Sequence, residues 1–263
     1  MMILWVLYDR CDYEKNVFFA ERLVQISKEM GYDASVVLTD SMPDLIPDAV
    51  IARTRDWRLT SSLEEKGVRV FNPSEVSRIC NDKHETYIFA ERLGIPVLDH
   101  VLPGERMLFG PPWVVKSRSG HGGTEVFMAR TSAELQDKTD LLGDDALIQE
   151  TASVLGRDLR VYVLDGQILA SVMRSSDTDF RANHGLGGKA ELFVPSDECR
   201  MIVSALSEAL GPCFVGIDFV FGEDGKAFLN EIEDVVGTRM LYELTDLDPA
   251  GILVGSVHSK MSL

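Results

Sequence analysis

The chain has 263 residues, 45% hydrophobic and 26% charged, a composition ordinary for a soluble globular protein and long enough for one large domain or two or three lobes. Its 26 Lys and Arg face 42 Asp and Glu, and the resulting net charge of −16 repels nucleic acid and anionic membranes, so neither is expected as a partner. No apolar run approaches the roughly 20 residues of a membrane span, and residues 1–8 lack the basic start and cleavage site of a signal peptide. Four scattered cysteines (Cys11, Cys80, Cys199, Cys213) without a CxxC pair suggest reduced thiols in the cytoplasm, with neither a zinc site nor a disulfide framework.

In chain order, residues 2–8 are a continuous apolar run of strand length, and residues 13–31 follow with helical apolar spacing and stop at Gly31. Short strands at 35–39, 49–53 and 68–71, with a helix at 59–66, complete a small α/β lobe. Asn81 and Asp82 start an amphipathic helix that runs to Leu93. The pentapeptide Phe-Ala-Glu-Arg-Leu occurs at 19–23 and at 89–93, which reads as two similar helices and not as a repeat architecture. Strands at 111–116 and 124–129 flank a Gly/Ser-rich loop, and a helix at 132–142 and a strand at 146–150 follow. Strands at 158–164 and 167–174 meet at Asp165-Gly166, a hairpin signal. Residues 175–189 form a polar loop of the length that is often functional. A helix at 197–210 leads into a second hairpin, and a short helix at 249–261 is expected to cover a sheet edge.

The second hairpin carries the densest chemistry. A loop at Gly222–Gly225 pairs Phe221 with Lys226 and sets Asp218 opposite Leu229, so that Asp218, Leu229, Glu231 and Glu233 share one face. Three converging carboxylates need a cation, and an all-oxygen donor set suggests Mg²⁺ or Mn²⁺ shared with substrate phosphates. In another register the same residues are an exposed acidic strand face. The loop Ser117 to Gly123 can wrap backbone N–H groups around phosphate oxygens or serve as a flexible hairpin tip. It is neither a P-loop nor a dinucleotide fingerprint. Lys116, ending an apolar strand, calls for a phosphate or carboxylate; Lys83, opening a helix, is either a second such lysine or solvated surface. Asp158 and Arg160 point the same way from one strand, as a site pair or as half of a cross-strand ion pair. Arg181 and Asn183, inside the polar loop, suit charge developing on a transferred phosphoryl group or a tetrahedral intermediate. His121 and His184 suit positioning better than metal binding. Arg53, Arg55 and Arg58, after a strand of the first lobe, are candidates for holding an anionic acceptor.

The order of these features over residues 75 to 245 resembles the ATP-grasp superfamily and, within it, the RimK-type ligases that add glutamate to a carboxyl end. The residues that carry it are Lys83, Lys116 before the glycine loop, Gln149-Glu150, Asp158-x-Arg160, Phe180-Arg181-Ala182-Asn183 with Gly187-Gly188, Gly216-x-Asp218 and Glu231-x-Glu233. The resemblance implies an α/β ATP-grasp fold in three parts: an N-terminal pre-ATP-grasp domain (1–75), a central lobe with the glycine loop (76–148) and a C-terminal lobe with the metal hairpin (149–263). By position, Lys83, Lys116, Ser119, Gly120, Gly122 and Gly123 would contact ATP phosphates, Gln149, Glu150 and Thr151 the adenine, and Asp158 the ribose. Arg181 and Asn183 would be catalytic, and Asp218, Glu231 and Glu233 would bind two Mg²⁺ (or Mn²⁺). Arg53, Arg160 and Arg239 are candidates for substrate carboxylates. Glu233 stands where the family usually has Asn, Thr151 replaces an aromatic or apolar residue, and the family's Ser-Pro-Gly after Glu233 is missing. The implied activity is ATP-dependent ligation of an amino acid such as glutamate to a carboxylate-bearing acceptor through an acyl phosphate, in a possible homo-oligomer. D-alanine-ligase-like or other ATP-grasp chemistry, and a non-catalytic ATP-binding sensor, are the alternatives.

Overall fold

A computed structural model of the chain describes residues 1–182 and 188–262. The first strand, β1 (Ile3–Tyr8), is followed by α1 (Arg10–Lys15), α2 (Val17–Glu29), β2 (Asp33–Leu38), β3 (Ala49–Arg53), α3 (Trp57–Glu64) and β4 (Arg69–Phe71). The strands form a parallel sheet in the order β2-β1-β3-β4. Alternation along β1 sends Leu4, Val6 and Tyr8 into one core and Trp5 and Leu7 into another, where Leu63 of α3 meets them, which is why the strand reads as continuously apolar. The single helix expected over 13–31 is broken at Asn16, whose side-chain amide donates to the Asp12 carbonyl (2.8 Å) and whose N–H donates to the Tyr13 carbonyl (2.9 Å). Phe18, just past that break, is 68% exposed.

Two helices follow, α4 (Ser74–Cys80) and α5 (Lys83–Arg92), the first of which the apolar spacing did not signal. Asp82 caps α5 by accepting from the N–H groups of His84 and Glu85. Val76, Cys80 and Ala90 from this pair pack into the core beneath the C-terminal sheet. A small sheet then forms from β5 (His100–Val101), β6 (Trp113–Ser117), β7 (Val126–Ala129) and, after α6 (Ser132–Leu142), β8 (Ala146–Glu150), in the order β5-β8-β6-β7.

The third sheet contains β9 (Val154–Leu164), β10 (Gln167–Ser175) and β11 (Lys189–Leu192) and, after α7 (Asp197–Leu210), β12 (Phe214–Phe221) and β13 (Ala227–Glu233), in the order β11-β10-β9-β12-β13. Asp165 (φ 50°) and Gly166 (φ 78°) make the tight turn between β9 and β10, as the sequence predicts. One face of β9 and β12 (Leu159, Val161, Val163, Val215, Ile217, Phe219) packs against α7, α4 and α5. The other face carries Asp158, Arg160 and Asp218 toward one end of the strands and Tyr162, Leu164 and Phe214 toward the other, where they enter the core shared with the N-terminal lobe. The chain ends in α8 (Arg239–Leu244) and α9 (Pro249–Met261). Helix α9 does not cover a sheet edge: Ala250, Leu253, Val254 and Val257 enter the core that also holds Ala20 and Leu23 of α2. No helix among the described residues is long and apolar enough to cross a membrane.

Candidate active site

The carboxylate hairpin forms with a different register from the one its sequence suggests. Its loop spans Gly222 to Lys226, so Phe221 pairs with Ala227, and a bulge between Asp218 and Phe219 on β12 leaves Asn230 as the extra residue on β13. Asp218 therefore lies opposite Glu231, not Leu229, and Leu229 turns into the core on the far face. The two shifts cancel in parity, and Asp218, Glu231 and Glu233 still converge, with carboxylate oxygens within 4.8 Å of one another.

Neighbouring strands supply the counter-charge. Arg160, directly opposite Asp218 on β9, grips it with Nε (2.8 Å) and Nη2 (2.6 Å) and reaches Glu233 at 2.7 Å. Arg174 on β10 adds a bond to Asp218 (2.7 Å) and holds Asp158 across the strand pair. Burial works to raise the Asp218 carboxyl, but the two guanidiniums prevail and hold it down at about 2. Burial wins at Glu233 and Asp158, whose carboxyls lie above the usual range despite their arginine partners. Arg160 thus lines the cleft as part of the carboxylate network, in the cross-strand ion pairing that its place beside Asp158 also allowed.

Two lysines approach the same centre. Lys83, buried at the start of α5, donates to the Gly120 carbonyl and pairs with Glu231 at 3.1 Å. Lys116, at the end of β6, donates to the Tyr87 hydroxyl (2.6 Å) and to Asn230 Oδ1 (3.2 Å). Burial, reinforced by the nearby Lys83 charge, pushes its ammonium down to about 7. It is buried and has no carboxylate salt-bridge partner among the described residues, a situation that an incoming anion relieves.

These groups line a cleft between the two C-terminal sheets, together with Gly120, Gly122, Gly123, Gln149, Glu150, Asp158 and Arg181. The glycine loop is docked against α5 through the Arg118–Asp82 ion pair and the bond from Lys83 N–H to the Arg118 carbonyl (3.1 Å). At Gly120, a Cβ would lie 2.8 Å from Ser117 Cβ and 2.7 Å from Glu125 Oε2, so only glycine fits that bend. Arg181 bonds the Gly123 carbonyl (2.7 Å) and Asp179 (2.7 Å), bridging the polar loop to the glycine loop. Gln149 is 2% exposed, and its Nε2 has no hydrogen-bond partner among the described residues. Leu98, Val114, Val154 and Leu155 wall the cleft beside it.

Three expected residues lie elsewhere. Thr151 turns its hydroxyl to the Pro112 carbonyl (2.5 Å), whereas Ser119 stays at the site, lining the recess beside the cleft with its hydroxyl donating to Asp145 (3.0 Å). Arg53 donates to the carbonyls of Val236 (2.7 Å) and Asp234 (3.5 Å), pinning the first lobe to the chain after β13. Arg239 is exposed at the start of α8 and lines neither the cleft nor its neighbouring recess. Asn183 and His184 lie outside the described residues. Tyr87, Arg174 and Asn230 belong to the site but drew no attention in the sequence. Arg174 had a signal, since it is close to opposite Asp158 in the Asp165-Gly166 hairpin.

A cleft between two antiparallel sheets, with a glycine loop above and a carboxylate hairpin below, defines an ATP-grasp ligase. D-cycloserine synthetase DcsG has this fold, with a TM-score of 0.75 over 98% of this chain and 99% of its own at 18% identity. The chain belongs to the RimK-like ATP-grasp family, whose domain matches residues 99–257, and it is a ligase that forms carbon–nitrogen bonds. Human N-acetylaspartylglutamate synthase A is 29% identical over 99% of this chain and 73% of its own length. Human beta-citrylglutamate synthase B is 28% identical over 98% and 78%. Enzymes of the family generally use ATP and Mg²⁺. The donor set fits both: an all-oxygen carboxylate cluster for a hard cation, buried lysines for phosphates, and an unmatched amide at Gln149 for a nucleobase edge.

Proposed function

We propose that the enzyme joins the amine of an amino acid, glutamate in the first instance, to the carboxylate of a small acid or peptide at the expense of ATP. The observation that supports this reading is the meeting of Lys83, Lys116, Arg181 and the three hairpin carboxylates around one cleft that also has an apolar end. The two human relatives carry N-acetylaspartylglutamate and citrylglutamate in their names, both amides of glutamate with an acid.

In this reading Lys83, Lys116 and the backbone of Gly120, Gly122 and Gly123 hold the phosphates, Gln149 and Glu150 the base, and Asp158 the ribose. Asp218, Glu231 and Glu233 hold Mg²⁺ or Mn²⁺, which when bound offsets the phosphate charge. Arg160 and Arg174 keep Asp218 ionised for that task. Arg181, with Asn183 as its expected companion, balances charge on the phosphoryl group as it moves to the acceptor carboxylate. The amine then attacks that activated carbonyl carbon, the C–O bond to phosphate breaks, and the amine proton leaves. Residues 1–75, 76–148 and 149–263 act as the three working parts.

Release of ADP and phosphate by the purified protein with ATP and Mg²⁺, across amino acids and acids in pairs, tests this. Pair-dependent release with a new amide by mass spectrometry is expected. Tight ATP binding without release in any pair would point to a nucleotide sensor.

A further inference from the structure

On α5, Lys83 and Tyr87 are four residues apart and so share one face of the helix. Lys83 borders the cleft; Tyr87 does not, and it is fully buried, with its ring 4.7 Å from that of His100 between centroids. A tyrosine buried this deeply needs a partner for its hydroxyl. Here the hydroxyl has two: it donates to the backbone carbonyl of Asn230 (2.7 Å) and accepts from Lys116 Nζ (2.6 Å). A hydroxyl has a single proton, so with that proton given to Asn230 only lone pairs are left to face the lysine.

Three separate elements meet at that one oxygen. Tyr87 belongs to α5, Lys116 to the end of β6, and Asn230 is the extra residue of the bulge on β13, next to Glu231. Lys116 Nζ also donates to Asn230 Oδ1 (3.2 Å), so the tyrosine oxygen and the bulge residue hold two of its three N–H groups. A tetrahedral ammonium held at two corners has the direction of its third fixed. That third N–H has no acceptor among the described residues, and Lys116 lines the cleft. Without the hydroxyl, a flexible four-carbon side chain would be held by the 3.2 Å bond alone. Phenylalanine at this position keeps the ring, whose centre lies 5.2 Å from Nζ, and removes only the oxygen.

We propose that Tyr87 is a positioning residue, whose hydroxyl aims the Lys116 ammonium at the nucleotide phosphates and ties it to the bulge that presents Glu231. This rests on the reading of Lys116 as a phosphate ligand given above. The hydroxyl does not itself touch the nucleotide, because Tyr87 does not border the cleft. Its effect is therefore confined to ligands that carry phosphate, and it is exerted only while Lys116 is present. A hydroxyl that served only to satisfy the Asn230 carbonyl, or to fill space, has neither property.

The test is a double-mutant cycle of Tyr87→Phe and Lys116→Met, read by calorimetric binding of ADP and of adenosine to the full chain with Mg²⁺. Tyr87→Phe should weaken ADP by about tenfold, the scale of one hydrogen bond to a charged group, and leave adenosine within about twofold. Lys116→Met should weaken ADP at least as much, and adding Tyr87→Phe to it should cost no more than about twofold further. The ratio of ADP to adenosine affinity is the deciding readout, since damage to packing lowers both together. Adenosine binding also shows that each variant is folded. Unchanged ADP affinity in Tyr87→Phe, equal losses for ADP and adenosine, or the same loss repeated on the Lys116→Met background would overturn the proposal. Neither titration involves an acid, an amine or an amide. Failure to form an amide with any pair would therefore count against the substrates proposed above and leave the role of Tyr87 standing.

Discussion

At the hairpin end of the cleft, Asp158, Arg160, Arg174, Asp218 and Glu233 satisfy one another across four strands. Beside that network, Gln149 on β8 is buried with an amide still unmatched, and Lys116 on β6, which reaches Asn230 of the hairpin, has only neutral hydrogen-bond partners. The first arrangement is fixed as the sheet pairs, because the charges are direct cross-strand neighbours. The second is completed only by what enters the cleft. Substitutions within the first network should therefore cost folding as well as function, and those in the second group should cost binding alone.

Asp218→Asn is the strongest test of that contrast. It leaves two buried guanidiniums without their shared carboxylate, and breaking a buried pair in this way costs about 3–5 kcal/mol. Urea unfolding should show that loss, and an unmoved midpoint would break the comparison. Glu231→Gln sharpens it. Its side chain is 19% exposed and its ion-pair partner is Lys83, so unfolding should barely change, while ADP release falls by about 10²–10³-fold.

Lys116→Met probes the second group. Lys116 lies at about 7, below the lysine value of 10.5, so it is charged below pH 7 and neutral above. Between these values the unfolded chain binds more protons, and this group makes stability rise with pH across that window. A phosphate favours the charged form, so nucleotide binding at pH 8 should take up a proton. Calorimetry in buffers of different ionisation enthalpy should register that uptake, and Lys116→Met should abolish it without lowering stability. Gly120→Ala should weaken nucleotide binding by about tenfold, or about 1.4 kcal/mol, by distorting the loop at Ser117. The smallest effect belongs to Arg239→Ala, exposed and outside the cleft, with stability within about 0.5 kcal/mol and turnover within twofold.

Much of this was legible in the sequence because it depends on local pattern. The strands at 49–53 and 146–150 and the helices at 132–142 and 197–210 form where periodicity puts them. The three carboxylates were found because alternation survives an even number of register shifts. The bulges were not legible. Counting back from the Asp165-Gly166 turn sets Met173 opposite Asp158, and an irregularity between Ile168 and Ala170 brings Arg174 there instead. No residue type announces that shift. Arg53 and Arg55 are alike in sequence, and what separates them is a pair of carbonyls at Asp234 and Val236, about 180 residues away. Short elements such as α4, α8 and β11 carry too few periodic positions to be recognised, and β11 exists through its pairing with β10.

The final helix and the first strand share one core with the C-terminal sheet, in which Leu4 and Val6 lie with Tyr162, Phe214, Leu253 and Val257. This denies the family domain any portability. A fragment cut at residues 99 and 257 would carry half of a hydrophobic interior into water. A chimera that borrows the first lobe from a relative must borrow the last helix with it.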